Sequence, residues 1–466
     1  MNRNKKIFIF LPDGVGLRNF TFTNFPEIGN GKDYDIIYWN NTVFPIEQMF
    51  KYNEKKVDYL KPNPLTDVFK RSRTKIELKQ NYRQFKDSAY LTYIFPQSYK
   101  TLKSAIKSAF VSFLAVLFNY NKDLIFIRKV IKKLERRSRY YKRVKLQLQK
   151  EKPNFIFCTN QRPLSGISPL LAAKDLFIPT GTFIFSWDNL PKGTLVVETD
   201  YYFVWSDYMK MELLQYYPFI NEDKIKVVGT PQFEMHFDKK LIQSRKVFFK
   251  ENGLETERRY ICFSGDDITT SPYDQFYLRD IANSVRKLNI SGYNLGVIFR
   301  RCPVDFSDRF DNILEEFSDV IVSINPDWKK YGNAWNTVMP TPNDLKVLVN
   351  TIKYTEVVIN IGSSMVFDYA CHNKPCIYIN YNTDEVDINK WNINTIYKYI
   401  HFKSMPNKEC VVWLNDKDEI ELKLKNILNN SSKTVVNAKN WFKIINIEDP
   451  KLASENIWNE ISKIIS

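Results

Sequence analysis

Val357-Val-Ile-Asn-Ile-Gly-Ser-Ser-Met-Val-Phe-Asp-Tyr-Ala370, followed by Asn373-Lys-Pro-Cys-Ile-Tyr-Ile-Asn380, reads as strand, turn, helix, turn and strand. The β-branched run ends at Gly362, and Ser363 and Ser364 open a helix as capping residues do. Both flanking runs are apolar almost throughout, as expected of parallel strands buried on two faces. Parallel neighbours need a crossover between them, and the intervening helix supplies it.

The same alternation extends in both directions. Lys6–Leu11, Tyr34–Trp39, Asn154–Cys158, Thr182–Ser186, Tyr201–Trp205 and Ile225–Val228 precede a break. Tyr260–Phe263, Leu295–Arg300, Val320–Ile324 and Cys410–Leu414 then flank the quoted unit, with helical stretches such as Asp207–Tyr217 and Asp344–Tyr354 between. Alternating strands and helices predict an α/β protein with two Rossmann-like doubly wound domains, and 466 residues accommodate both. The first is expected over residues 1–235, with a basic helical segment at 97–150 inserted in it. The second is expected over 236–440, and residues 441–466 form a closing helix with Leu452, Ile457, Ile461 and Ile464 as a docking face.

At 44% hydrophobic and 26% charged residues the composition excludes a disordered or collagen-like chain. Six scattered cysteines without a C-x-x-C pair exclude a disulfide scaffold and suit a reducing compartment. The start has the look of a signal n-region, but Ile7–Leu11 is short and stops at Pro12-Asp-Gly14, so a first strand is the better reading. The net charge of +16 points to an anionic partner, and its distribution is local. Arg128 to Lys150 holds eleven Lys or Arg against Glu135, directly after the uncharged Ser108–Asn121. That stretch falls short of the roughly 20 residues of a spanning helix. It is either a core helix before a solvated one, or an interfacial patch on an anionic membrane surface.

Ligands of open parallel sheets bind beyond the carboxyl ends of strands, so the residues there are the candidates. After the first strand, Gly14 and Gly16 permit a tight turn, and Asp13, Arg18 and Asn19 bring an acid, a cation and an amide to the rim. The bland alternative is a strand–helix turn capped by Asn19 or Thr21. After the fourth run, Trp187 offers a ring for sugar stacking, with Asp188 and Asn189 for hydroxyls, unless Asp188 merely caps a helix. Arg300 and Arg301 end a strand as a clamp for phosphate or carboxylate, or as a surface pair. Gly362, Ser363 and Ser364 form an anion site at a helix N-terminus, with Asp368 one turn on to accept from a sugar hydroxyl; the alternative is an ordinary cap and a surface acid. No Asp-x-Asp ends a strand, and His236, His372 and His401 are not spaced as ligands, so no metal and no cofactor is expected.

With these residues in view, the chain resembles glycosyltransferases of the GT-B fold, in which two such domains face each other across a cleft. Ser186-Trp-Asp-Asn-Leu-Pro-Lys-Gly193, Tyr202-Phe-Val-Trp-Ser206 and Val228-Gly-Thr-Pro-Gln-Phe233 resemble bacterial surface-polysaccharide transferases. The Ser-Ser-x-x-x-Asp-Tyr pattern of Ser363 to Tyr369 is also similar to glycerophosphotransferases of teichoic acid synthesis. The resemblance covers residues 6–20 and 182–235, more loosely 258–380, and says little of 40–150. Where relatives carry Arg-x-His-Pro, this chain has Arg300-Arg-Cys-Pro303, so a histidine-dependent role is not carried over.

The resemblance implies a metal-independent transferase of capsule, lipopolysaccharide or a related polymer. Gly362, Ser363, Ser364 and Arg300 would hold the diphosphate of a nucleotide-sugar donor, and the first domain a glycan or lipid-linked acceptor. Asp13 is the first choice of base and Asp188 the second. It also implies a cytoplasmic chain, peripheral at the inner face of the membrane. One alternative is polymer synthesis from a CDP-polyol donor. Another is a non-catalytic sugar- or nucleic-acid-binding protein. A nucleic-acid partner is not expected, because the basic helix has only Tyr140 and Tyr141 as aromatics and no known module around it.

Overall fold

Strands apolar on both faces must lie between layers of helices, and both halves of the chain meet that demand. The structure is a computed structural model and describes residues 5–58, 60–118, 120–332 and 337–466. Met1–Asn4, which precede the first expected strand, and Asn119, within Ser108–Asn121, lie outside the described residues. The chain divides into two units, Met1–Pro231 with Ile445–Ser466, and Gln232–Ile444.

The first unit holds β1 (Lys6–Leu11), β2 (Asp35–Asn40), β3 (Glu54–Lys56), β4 (Phe155–Cys158), β5 (Thr180–Phe183), β6 (Tyr201–Val204) and β7 (Ile225–Val227). They pair in parallel in the order β3-β2-β1-β4-β5-β6-β7, with Phe8 of β1 opposite Ile37 on one side and Ile156 on the other. The β3-to-β4 crossover is long and helical, with helices Pro64–Phe85, Leu102–Leu117, Asn121–Arg136 and Arg139–Glu151. Ile127, Ile131, Tyr140, Tyr141, Val144 and Leu148 are buried in one core with Phe8, Phe10, Trp39 and Ile156, so the two basic helices are docked on the sheet. Several of their cations are engaged: Arg136 chelates Asp175 through two bonds of 2.7 Å, Lys132 pairs with Glu198, and Arg143 lies 3.6 Å from Asp58. Ile125, Phe126 and Leu146 of the basic helices are exposed, and a longer exposed apolar run lies on Leu102–Leu117, where Leu102, Ile106, Phe113 and Leu117 face outward.

The second unit holds β8 (Arg259–Ser264), β9 (Leu295–Arg300), β10 (Ile321–Ser323), β11 (Trp328–Lys330), β12 (Val338–Pro340), β13 (Thr355–Asn360), β14 (Cys376–Ile379) and β15 (Val412–Leu414). Six of them form a parallel sheet in the order β10-β9-β8-β13-β14-β15, and β11 and β12 make an antiparallel ribbon. Each main sheet thus begins 3-2-1-4-5-6 in its own count, the doubly wound Rossmann order. The quoted module is β13, the helix Met365–Cys371 and β14.

The boundaries differ from the expected 235/236 and 440/441. The first unit ends at Pro231, and the tail from Ile445 belongs to it. The reason is local packing. Trp458 stacks on Phe25 with ring centroids 4.7 Å apart, its Nε1 donates to the Phe25 carbonyl at 2.7 Å, and Asn446 Oδ1 accepts from the Thr230 amide at 3.1 Å. All six cysteines are free, and among the described residues no helix is long and apolar enough to cross a membrane.

Candidate functional site

A 3-2-1-4 order places two strand ends whose crossovers leave in opposite directions side by side, and that gap is where ligands of such sheets bind. In the first unit the gap lies beyond β1 and β4, with Pro12-Asp-Gly14 on one side and Thr159-Asn-Gln-Arg162 on the other. In the second it lies beyond β8 and β13, with Gly265-Asp-Asp267 facing Ile361-Gly-Ser-Ser364.

Asp13 sits at the first gap and is buried. Its Oδ1 accepts from the Val15 amide at 3.2 Å, capping the turn, and its Oδ2 accepts from Asn160 Nδ2 at 3.0 Å. Burial pushes its pKa up to about 6, against the Val15 amide and the nearby charges of Arg162 and Lys70, which favour the carboxylate. A carboxyl group tuned there is ionised at neutral pH yet basic enough to take a proton. Arg162 is half-buried, and its guanidinium has no hydrogen bond or ion pair among the described residues. Lys70, from the helix Pro64–Phe85, donates to the Arg162 carbonyl at 2.5 Å, and burial lowers its pKa to about 8. Asn160, Arg162 and Lys70 were not singled out in the sequence, because only the strand order brings them to Asp13.

The neighbours of Asp13 are less open to a ligand than the sequence suggests. A Cβ at Gly16 would stand 2.4 Å from Thr159 Oγ1, so this glycine serves the close approach of two segments of the protein itself. Asn19 is buried; its carbonyl accepts from Thr23 Oγ1, while Arg18 is half-buried and Gly14 lies in the turn that Asp13 caps. Trp187 was expected at the rim but is only 7% exposed, which leaves little ring face for a sugar. Asp188 beside it accepts from Asn189 Nδ2 at 2.9 Å and is neutralised by Lys192. The loop itself is clamped by Arg73, fully buried, which donates to the Gly193 carbonyl and to Glu77 at 2.5 and 2.6 Å.

In the second unit Gly362 adopts φ +64, a conformation that glycine tolerates and that turns β13 into its helix. Ser363 N–H donates to Asn360 Oδ1 at 2.9 Å, Ser363 Oγ accepts from the Met365 amide, and Tyr378 holds the Ser363 carbonyl at 2.8 Å. The turn is therefore rigid. Ser364 is half-exposed, and neither its amide nor its hydroxyl is hydrogen-bonded among the described residues. Facing this turn, Asp266 has an unsatisfied Oδ2, and burial together with Asp274 and Asp267 pushes its pKa well up.

Asp368 differs from both of its sequence readings. It is 3% exposed, and its Oδ1 lies 2.8 Å from His236 Nε2, whose Nδ1 is 3.1 Å from His372 Nε2. One turn past Ser364 is the inward face of this helix, so the carboxylate meets the short helix Pro231–Phe237 instead of solvent. Burial and the neighbouring His236 lower the pKa of His372 to about 3, keeping it neutral. Arg300 is also buried: its Nη2 donates to Asp344 at 2.8 Å, and Asp344 in turn accepts from Trp328 Nε1 at 2.8 Å. Its Nη1 has no hydrogen-bond partner among the described residues. Arg301 is half-buried, spanning Phe310 and the Ser307 carbonyl. Among the described residues no group of three His, Cys, Asp or Glu side chains is arranged to hold a metal ion.

No family model matches the chain, and no curated protein matches it in sequence. Solved structures do match in fold. The MnaA–UDP complex of S. aureus aligns over 99% of this chain and 97% of its own, with a TM-score of 0.53 and 12% identity. The UDP-GlcNAc 2-epimerase of Neisseria meningitidis bound to UDP-GlcNAc aligns over 98% and 100%, with a TM-score of 0.50 and 11% identity. A glycosyltransferase from Rickettsia africae aligns over 100% and 99%, with a TM-score of 0.51 and 10% identity. Such identities speak for architecture alone, and on that level the two Rossmann-ordered sheets of this chain are those of the GT-B fold.

Proposed function

We propose that the chain is a glycosyltransferase that moves a sugar from a nucleotide-sugar donor to a glycan or lipid-linked acceptor in surface-polysaccharide synthesis. The observation that carries this reading is the pair of switch-point sites: a buried carboxylate with a pKa near 6 in one unit, a Gly-Ser-Ser turn in the other. Fold neighbours that hold UDP or UDP-GlcNAc support a nucleotide-sugar donor. In this reading the acceptor hydroxyl attacks the anomeric carbon, the bond to the nucleoside diphosphate breaks, and Asp13 takes the hydroxyl proton. The second unit binds the donor; the free amide and hydroxyl of Ser364 and the charge of Arg301 stabilise the leaving diphosphate. The reaction needs no metal in this scheme, since these groups carry the charge. The chain works at the inner face of the cytoplasmic membrane, a location supported by the cluster of Lys and Arg between Arg128 and Lys150.

A panel of nucleotides and nucleotide sugars, followed by thermal unfolding of the full chain, tests the donor assignment. A ligand at a hundred times its Kd stabilises by about 2.7 kcal/mol, so a true donor stands out. Transfer of radiolabelled sugar from that donor to a membrane extract, with and without EDTA, then tests the reaction and its metal independence. A panel in which no nucleotide shifts the transition overturns the reading.

A further inference from the structure

The first unit contains a pocket of about 500 Å³ under the helix Leu102–Leu117, within the range of small-molecule sites. Its walls have two chemistries. Six cationic side chains line it, Lys70, Arg71, Lys75, Lys107, Arg162 and Lys192, against one acid, Asp67. Asp67 is shared by Arg71 and Lys107, and Lys192 is held by Asp188. Lys70, Lys75 and Arg162 form no ion pair with a carboxylate among the described residues; Asp67 acts on Lys70, and Asp13 on Lys70 and Arg162, only through their fields, so positive charge is in excess on this wall. Gathering like charges in a partly desolvated pocket costs free energy unless an anion joins them. Burial lowers the pKa of Lys70 to about 8, and the neighbouring Arg162 and Arg71 push in the same direction.

The other wall is apolar. Tyr93, Ile94, Phe95, Pro96 and Val111 line it, and Phe95 is 79% exposed at its edge. From there the apolar surface runs along the helix Leu102–Leu117, whose Leu102, Ile106, Phe110, Phe113 and Leu117 recur at helical spacing and stay exposed. Val111, Leu114 and Ala115 bury the opposite face, so this helix is apolar on both sides. An exposed apolar stripe of that length on a chain in water marks a surface that binds something. The pocket shares Arg162 with the loop after β4 at the first switch point, and Lys70 and Arg162 both favour the charged form of Asp13.

We infer that this pocket seats the phosphate end of an amphiphilic molecule, with its hydrocarbon chain leaving along the exposed face of Leu102–Leu117. Arg162, Lys70 and Lys75 bind the phosphate oxygens, as arginine and lysine do wherever phosphate is recognised. That this amphiphile is the acceptor rests on the glycosyltransferase reading; the chemistry of the pocket does not.

Calorimetric titration of the full chain with geranyl phosphate and, separately, with inorganic phosphate tests the site. Geranyl phosphate is expected to bind more tightly than inorganic phosphate. Arg162→Gln with Lys75→Gln should weaken both by on the order of tenfold or more, the loss that follows removal of hydrogen bonds to a charged group. Arg162→Lys should restore part of the affinity. Phe95→Ser with Ile106→Ser should weaken geranyl phosphate alone. Equal affinity for the two probes overturns the amphiphile and leaves a phosphate site. Failure of both to bind, or binding indifferent to Arg162 and Lys75 in variants that keep the wild-type circular dichroism, overturns the site itself. Nucleotide binding measured on the same samples separates this outcome from failure of the glycosyltransferase reading.

Discussion

The two switch points share a strand order and almost nothing else. At the first, a buried carboxylate is held by amides, with the cations Arg162 and Lys70 close enough to favour its charge. At the second, a glycine-turned loop presents backbone and hydroxyls, and the nearby arginine is spent inside the fold on Asp344. Topology supplies the same address twice; the residues delivered there decide what chemistry it offers, a buried carboxylate at one and free backbone and hydroxyl groups at the other. Arg162 and Arg300 make the contrast sharp, since one guanidinium forms no ion pair among the described residues and the other is half of a buried ion pair.

The largest expected effect tests the proton-transfer side. Asp13→Asn keeps the size and removes the basicity, so turnover should fall by about 10²- to 10⁴-fold while nucleotide affinity holds. In the wild type, turnover should rise as pH passes through about 6, where the Asp13 carboxyl loses its proton, and level off above. Asp188→Asn should leave that profile in place. A pH profile unchanged in Asp13→Asn, at near-normal turnover, would remove Asp13 from the mechanism.

The arginine contrast comes next. Arg300→Ala strands Asp344 in the interior and should cost about 3–5 kcal/mol in urea unfolding. Arg162→Ala should cost much less, about 0.5–1 kcal/mol, because it forms no ion pair among the described residues and acts on the Asp13 carboxylate only through its field. Similar losses in the two variants would mean that Arg162 has a structural partner after all.

Asp13 should also show itself in stability. Its folded-state pKa lies above the ordinary value of 3.8, so the wild type carries a penalty at neutral pH that fades as pH falls from about 6 to 4. Asp13→Asn should therefore be more stable than wild type at pH 7, by about 1–3 kcal/mol, with the gain vanishing near pH 4. Denaturant titrations at several pH values check the sign. The smallest effect belongs to the second switch point. Ser363→Ala with Ser364→Ala should weaken nucleotide binding by on the order of tenfold, with the fold retained. Isothermal titration with the nucleotide found in the panel measures it, and unchanged affinity would detach the anion site from this turn.

The alternation of apolar runs and helices sufficed to expect two doubly wound sheets, because parallel strands buried on both faces leave a pattern that needs no partner to be read. The strands that escaped were β3, β11 and β12, three residues each and, in β3, Glu-Lys-Lys. So short an edge strand carries no hydrophobic period, and its backbone pairing with β2 is its only signature. Asp13 and the Gly362–Ser364 turn were legible as strand ends. The commitments of their neighbours were not. Asp368 to His236 spans 132 residues and Arg300 to Asp344 spans 44, and nothing local in either segment announces the partner.

What the sequence determined by itself was the fold class, the two-unit plan and the strand ends at Asp13 and Gly362. Local chain physics governs those features: side-chain period, turn chemistry and capping. Tertiary structure alone decided which end meets which: that Asn160, Arg162 and Lys70 gather around Asp13, that Trp187 turns inward, and that the stripe of the basic helices is core while Leu102–Leu117 stays bare. Strand order and the docking of helices follow from the burial of the whole chain at once, and no stretch of residues holds that information alone.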